Sequence, residues 1–498
     1  MLCSEIKSIE KSIQLSEKQC DEQCRKWREI GISAPEDGCW PWPRLVNLHR
    51  NLLNDYYDWF LTTEHPSAPS SFRQPRTTKT MLGRMWTHGV DIVLHILSSR
   101  LPDTKEFMVH LIYFSYHLFG LLYETVRTFE VTWLEFLGHL GRYRTIVEDD
   151  DSAERMRWKE ISEMWYCKLL DKSPFCGRLY SWLGILAKGY SLQQLYCFSR
   201  SLTSAEPFKP ARILAQRLLT SKPASSRTID IEFLKIHEML FLQKLNARDF
   251  DTTRKSYQRS LKSLIQQMPD CKEWGVYMAI INIAGLFDYG SATSPLQVAF
   301  QSHTKQASRN TFFASCNTEA SNCTPPANGS IPAMGAVPFG HQVNLSCPSF
   351  SLATFFAFST LSTFLKGKGH PNSLPHIHCF LVFLLCCAAI PNADLLMNSA
   401  PWGDISCFLN QLANQKPPQS ALAASLFRHD RPPLPEEYLM RGQVWNERYF
   451  PGNWFSTDLR EEDRFLELCS TQQSREMQIM CLGYQISSVS VTSELGLG

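Results

Sequence analysis

Two arginines flank a tyrosine in LGHLGRYRTIVEDDD, residues 137–151, and four acids follow them. A guanidinium offers N–H donors in a fixed fork that matches phosphate oxygens two at a time, and a phenol adds a hydroxyl donor. Arg142 and Tyr143 are therefore candidates for receiving a phosphoserine, a recognition mode that relies on arginine. The competing reading is an ordinary Arg–Glu helix pair. On a helix, residues 135, 139 and 142 share a face, which sets Arg142 beside Glu135 and His139, while Leu134, Leu137, Gly141 and Arg144 turn to another side. The acids Glu148 to Asp151 point in diverging directions and read as a solvated run rather than a paired-carboxylate centre. Asp151-Ser152-Ala153-Glu154 has capping-box spacing, so the run reads as a helix start.

A second set of cations lies upstream. From His65 to Val90 there is no acidic residue, while Arg73, Arg76, Lys79 and Arg84 accumulate in a Pro/Ser/Thr-rich connection leading into a helix. Such a loop can contact nucleic-acid phosphates, with Trp86 as a stacking surface for a single-stranded base. A solvated loop is the plainer alternative.

Metal and catalytic frameworks are weaker. Cys20 and Cys24 at i, i+4, with Cys39 beyond, lack the two close pairs of a zinc site, and a structural role is favoured. His376 and His378 flank Ile377 and precede Cys379, but alternate residues on a helix diverge by about 200° and cannot share an ion. The sequence contains no nucleophile elbow, phosphate loop, His-Glu-x-x-His or dinucleotide fingerprint. No catalytic residue, metal or cofactor is expected.

The elements that must hold these groups are helical. The chain has 498 residues, 44% hydrophobic and 12% aromatic, enough for several cores. Its formal charge of +2 excludes a global field drawing it onto nucleic acid or an anionic membrane. Seventeen cysteines in unpaired spacing suggest reduced thiols in cytosol or nucleus. The apolar runs 107–123 and 379–390 read as core helices, the first interrupted by His110, Ser115 and His117, the second too short for ~30 Å of hydrocarbon. Apolar residues recur at i, i+3, i+4, i+7 near 4–28, 43–62, 81–99, 105–124, 129–147, 152–169, 176–188 and 191–203, and again over 229–290, 350–366, 376–391, 402–414 and 472–486. That is an all-α chain, with alternation of strand type conceivable only in the last dozen residues. Residues 301–349, rich in Ser, Thr, Asn, Pro and Gly, read as a linker or insertion. Leu137-Gly138 and Leu183-Gly184 repeat the large-small pattern of tetratricopeptide helix pairs, though spaced wider than the roughly 34-residue period.

The stretches LYETVRTFEVTWLEFLGHLGRYRTIVEDDD and WYCKLLDKSPFCGRLYSWLGILAKGYSLQQLYCFSRSLTSAEPFKPAR resemble the ever-shorter-telomeres type of DNA/RNA-binding protein, particularly its filamentous-fungal members. LVNLHRNLLNDYYDWFLTTEHPSA, MLGRMWTHGVDIVLHIL, AIINIAGLFDYG, LPHIHCFLVFLL and LPEEYLMRGQVWNERYFPGNWF add to the resemblance, which spans about residues 40–485 without 301–349. It implies an N-terminal helix and connection (1–39), a 14-3-3-like tetratricopeptide-type domain (40–215), a helical-hairpin DNA/RNA-binding domain (216–300 and 350–486) and a tail (487–498). The family includes a telomerase regulatory subunit and the adaptors of nonsense-mediated mRNA decay, which bind phosphorylated peptides of the decay helicase in a concave groove. The resemblance therefore implies a nuclear or cytoplasmic adaptor whose partner is such a phosphoprotein or a telomerase component, with RNA or single-stranded DNA as a further partner and no membrane. Arg142 and Tyr143 match the family's Arg-Tyr element. Aligning Trp86 and His88 with its Trp-x-His puts Asp91 where a lysine is expected, so the pocket is either inactive or completed by Arg84 or another nearby cation. Nothing resembles the nuclease domain of one branch, so nuclease activity is not expected. Trp133, Tyr180 and Leu183 would hold the Arg142 helix rigid.

Overall fold

A computed structural model describes residues 2–29, 42–149, 152–221, 227–244, 246–267, 272–303, 348–367, 370–390, 393–414, 427, 431–456 and 461–494. The protein is all-α: no strand occurs among the described residues, which hold only two isolated bridges, Cys176 with Glu206 and Ser204 with Gln443. The last dozen residues carry no strand where they are described, because the final helix continues to Glu494. Most of the expected insertion, residues 304–347, lies outside the described residues.

The chain forms two compact units, Met1–Ser173 and Pro174–Gly498. The division falls at the helix stop Lys172-Ser173-Pro174, upstream of the expected boundary at 215. In the first unit the helices are α1 (Leu2–Glu29), α2 (Trp42–Glu64), α3 (Pro75–Trp86), α4 (Ile92–Ser98), α5 (Lys105–Thr125), α6 (Glu130–Val147) and α7 (Ala153–Lys172). α1 is no appendage. Its Ile6, Ile13, Cys20 and Cys24 are buried in the same core as Leu52, Tyr56 and Trp59 of α2 and Trp133 and Leu137 of α6. Neighbours pack as antiparallel pairs, α1 on α2, α5 on α6 and α6 on α7.

Arg76, Lys79 and Arg84 stand on a helix rather than in a loop. Pro75 occupies its first turn, where the missing N–H costs nothing and the fixed φ favours the helix, after an extended Gln74. α3 runs into α4 through a π-turn, Thr87–Asp91. Such a turn inserts one residue and re-aims the side chains that follow it. Gly89 sits inside it because a Cβ there would come 2.7 Å from the Leu53 side chain.

The second unit is built from α8 (Gly177–Leu186), α9 (Ser191–Thr203), α10 (Ala211–Thr220), α11 (Thr228–Phe241), α12 (Ala247–Gln267), α13 (Lys272–Leu286), α14 (residues 295–303), α15 (Pro348–Leu365), α16 (Leu374–Ala388), α17 (Asp394–Asn398), α18 (Trp402–Asn414), α19 (Pro435–Met440) and α20 (Cys469–Glu494). α13 and α16 are buried on nearly all sides and lie against each other at the centre, with α9 and α15 against α13 and α20 against α16. α15 is long and apolar enough to cross a membrane. Its Phe356, Ala357, Leu361 and Phe364 are core residues of this unit.

Candidate functional site

α6 carries the Arg-Tyr-Arg element. Its glycines let α7 approach: a Cβ on Gly138 would lie 2.5 Å from the Tyr166 ring, and one on Gly141 would lie 3.0 Å from the Ser162 Cβ. The close approach allows Ser162 Oγ to donate to the Gly138 carbonyl at 2.7 Å and brings Tyr166 Oη within 2.7 Å of His139 Nδ1. The equivalent Leu-Gly pair of the second unit works alike, a Cβ on Gly184 falling 2.5 Å from the Phe198 ring. Glycine-mediated helix backing is thus common to both pairs.

Arg142 is half-buried. Its guanidinium carbon lies 4.9 Å from the Tyr143 ring centroid, and its charge and side-chain hydrogen bonds favour the ionised forms of both Tyr143 and Tyr166. Buried Nε has no partner among protein atoms, and among the described residues no carboxylate ion-pairs with Arg142. The Arg–Glu pair therefore does not form: Glu135 Oε1 lies 3.7 Å from His139 Nε2. Tyr143 donates to Asp91 Oδ1 at 2.8 Å, a contact set up by the π-turn. Burial, then the Asp91 bond, pushes the Tyr143 phenol up to about 12, so it stays a donor at neutral pH.

Arg144 is spent elsewhere. It is buried, bonded to Glu148, which also takes Lys105 at 3.3 Å, so the first acid of the run is an ion-pair partner and not a helix start. Ser152 is the residue that caps α7, its Oγ accepting from Arg155 N at 3.1 Å, while Asp151 lies outside the described residues.

Arg84 is already ion-paired with Glu17 of α1. Its Nε donates to Glu17 Oε1 at 3.0 Å, and Glu17, nearly buried, also accepts from Tyr56. Withdrawing Arg84 from this pair would leave the nearly buried Glu17 carboxylate without its cation, which is unfavourable. Trp86 is half-buried, with its ring centroid 4.8 Å from that of Phe136 in a stacked pair and 5.1 Å from that of His139. Arg73 is exposed and donates to the Ala68 carbonyl at 2.8 Å. Arg76 and Lys79 are exposed on α3, where Arg76 borders a hollow of about 360 Å³ together with Glu10 of α1.

Among the described residues no group of histidines, cysteines and acids is arranged to hold a metal. Cys24 Sγ lies 3.5 Å from His49 Nε2 inside the first core, and burial pulls His49 down to about 4. Cys39 lies outside the described residues. His376 and His378 take different partners, the Gly275 carbonyl at 2.8 Å and Glu436 Oε1 at 2.9 Å.

Sequence reading missed a buried charge network in the second unit. Arg475 of α20 grips Glu436 of α19 through Nε at 2.6 Å and a second nitrogen at 2.8 Å, and also reaches Glu467 at 2.6 Å. Burial opposes ionisation of Glu436, yet Arg475 and His378 overcome it and hold its carboxyl well below the usual range. Glu437 ties Arg431 at 3.1 Å and the Trp454 indole at 3.2 Å. Two acids inside the otherwise apolar LPEEYLM were the available signal. Tyr180 also belongs to this unit, bonding Arg200 at 2.9 Å and the Pro174 carbonyl at 2.7 Å. These contacts fasten α8, α9 and α19 together, while within the first unit α6 is anchored by its own buried Trp133 and by Tyr166 of α7 against Gly138.

No protein-family model matches the chain, and no curated protein matches it.

Proposed function

We propose that this chain is a non-catalytic helical adaptor serving nonsense-mediated mRNA decay or telomere maintenance, binding a phosphorylated protein partner through Arg142. The family resemblance supplies the biological setting, and the all-α fold is compatible with it. The observation that carries the reading is Arg142: a guanidinium with a buried, unmatched Nε and no carboxylate partner, on a helix held by close glycine contacts. Its internal partners are the neutral Tyr143 and Tyr166 side chains rather than an acid, so its positive charge remains available for charge-assisted bonds to an incoming anion. Asp91 already holds the Tyr143 hydroxyl, so a phosphate at this site rests on Arg142 without a second cation from Arg84. Packing of the half-buried Trp86 indole on Phe136 leaves it less face for a stacked base, which favours the adaptor reading over the single-stranded nucleic-acid one.

The test is affinity purification from native cells of wild type and Arg142→Glu, with and without phosphatase. The proposal expects RNA-decay or telomerase proteins to co-purify with untreated wild type alone. Identical partner sets in all samples contradict it.

A further inference from the structure

α13 ends in LFDYG, and the chain there takes three left-handed residues in a row, Asp288 (φ 46°), Tyr289 (φ 49°) and Gly290 (φ 73°). Two of them carry side chains, and such residues cost on the order of 1–3 kcal/mol each. The turn is held from both sides: Tyr289 is buried with its Oη 2.7 Å from His237 Nδ1, and a Cβ on Gly290 would strike the Leu202 carbonyl at 2.0 Å. Arg212 braces the main chain, donating to the Asp288 and Tyr289 carbonyls at 3.3 and 3.5 Å while lying over the Phe241 ring.

This turn forms one end of a cleft of about 180 Å³. Its lining includes the apolar Leu240, Leu286, Phe350 and Ala353. It also takes in the polar Gln243, Asp288, Thr293, Ser294 and Ser349. Ser294 is 3% exposed, and its Oγ has no hydrogen-bond partner among protein atoms. Gln297, in the first turn of α14 just after Ser294, is 2% exposed with neither amide atom matched. Asp288 is half-buried and makes no ion pair among the described residues. Buried polar groups of folded chains are normally matched, and an unmatched hydroxyl costs about 1–3 kcal/mol.

The chemistry of these groups selects the ligand. An anion would meet the Asp288 carboxylate. A purely apolar group would leave Ser294 unmatched and the carboxylate desolvated. A cation on an apolar stem satisfies both kinds of lining residue, with its donors directed at acceptors and its methylenes against Leu240, Leu286 and Phe350. Arg212 spends donors on main-chain carbonyls and is not among the described residues that line the cleft, but its charge and a Ser291 hydrogen bond both favour the ionised Asp288, so an incoming ammonium shares that carboxylate with them. We propose that this cleft binds an alkylammonium group, with Asp288 taking the charge, Ser294 Oγ accepting one N–H, and the aliphatic stem held by Leu240, Leu286 and Phe350. The group is either a lysine side chain of another polypeptide or a free alkylamine.

Calorimetric titration of the full chain tests this with three probes: n-butylamine, lysine blocked at both termini, and norleucine blocked in the same way. Norleucine keeps the stem and lacks the ammonium. The expected result is saturable binding of an amine, at least about tenfold tighter than norleucine, and lowered about tenfold or more by Asp288→Asn. Asparagine tolerates the left-handed backbone, so this variant retains the turn, and an unchanged thermal melt verifies it. Ser294→Ala, which removes only the hydroxyl, should weaken binding about threefold to tenfold. Binding of blocked lysine alone identifies a polypeptide side chain, and equal binding of butylamine identifies a free amine. No saturation by either amine up to about 10 mM, equal affinity for norleucine, or full affinity in folded Asp288→Asn overturns the proposal.

Discussion

Arg142 and Arg144 are two positions apart, yet one keeps a guanidinium without an acidic partner and the other is buried against Glu148. Helical geometry predicts their divergence, and the sequence showed which faces they take. It did not show that Glu135 would go to His139 rather than Arg142, since that choice depends on how closely Tyr166 of α7 approaches. The buried histidines were equally illegible as neutral groups. Burial pulls His49 down to about 4 and His237 and His376 down to about 3, against an ordinary value near 6.5. Their folded values lie below the unfolded one, so the unfolded chain binds more protons between them. The stability they contribute is full above about pH 6.5 and is lost as pH falls toward the folded values, by about 1.4 kcal/mol per pH unit per group. Glu163 and Asp288, raised by burial, oppose this. The urea midpoint should therefore drop from pH 7.5 to pH 5, more for the second unit, which holds two of the three histidines. An unchanged midpoint would show that these rings are not held neutral.

At the scale of elements, the helical period located nearly every helix, because core faces need apolar residues every three to four positions. The first half of α3 escaped because a proline and a run of Ser and Thr look like loop chemistry, while Pro75 in fact opens the helix that the period shows only from Met81. The π-turn left no periodic trace, although it sets Asp91 on Tyr143. The boundary at Ser173 was hidden by the similarity of the two Leu-Gly pairs, which made α8 look like a continuation of the first stack. Those glycines yield a contrast. Gly83, mid-helix, has nothing within 4 Å of an added Cβ, whereas Gly138 faces the Tyr166 ring. Gly83→Ala should stabilise the first unit by about 1 kcal/mol through helix propensity. Gly138→Ala gains the same propensity but overpacks a buried ring at a cost of about 1–3 kcal/mol, so its sign should reverse. Urea denaturation of both variants checks this, and equal shifts would refute the close approach of α6 and α7.

For the whole molecule, a formal charge of +2 leaves recognition to local groups rather than a long-range field. The fold class was legible from period and composition. The joints of the second unit were not, because Arg475 with Glu436 and Arg200 with Tyr180 pair residues far apart in the chain. Arg142 remains the group on which the adaptor reading turns. The most direct measurement is a fluorescence-anisotropy titration of a degenerate phosphoserine peptide library and its unphosphorylated twin against wild type and Arg142→Glu. The account predicts that wild type binds the phosphorylated library at least about tenfold more tightly and that Arg142→Glu removes the difference. Equal affinity of wild type for the two libraries contradicts it.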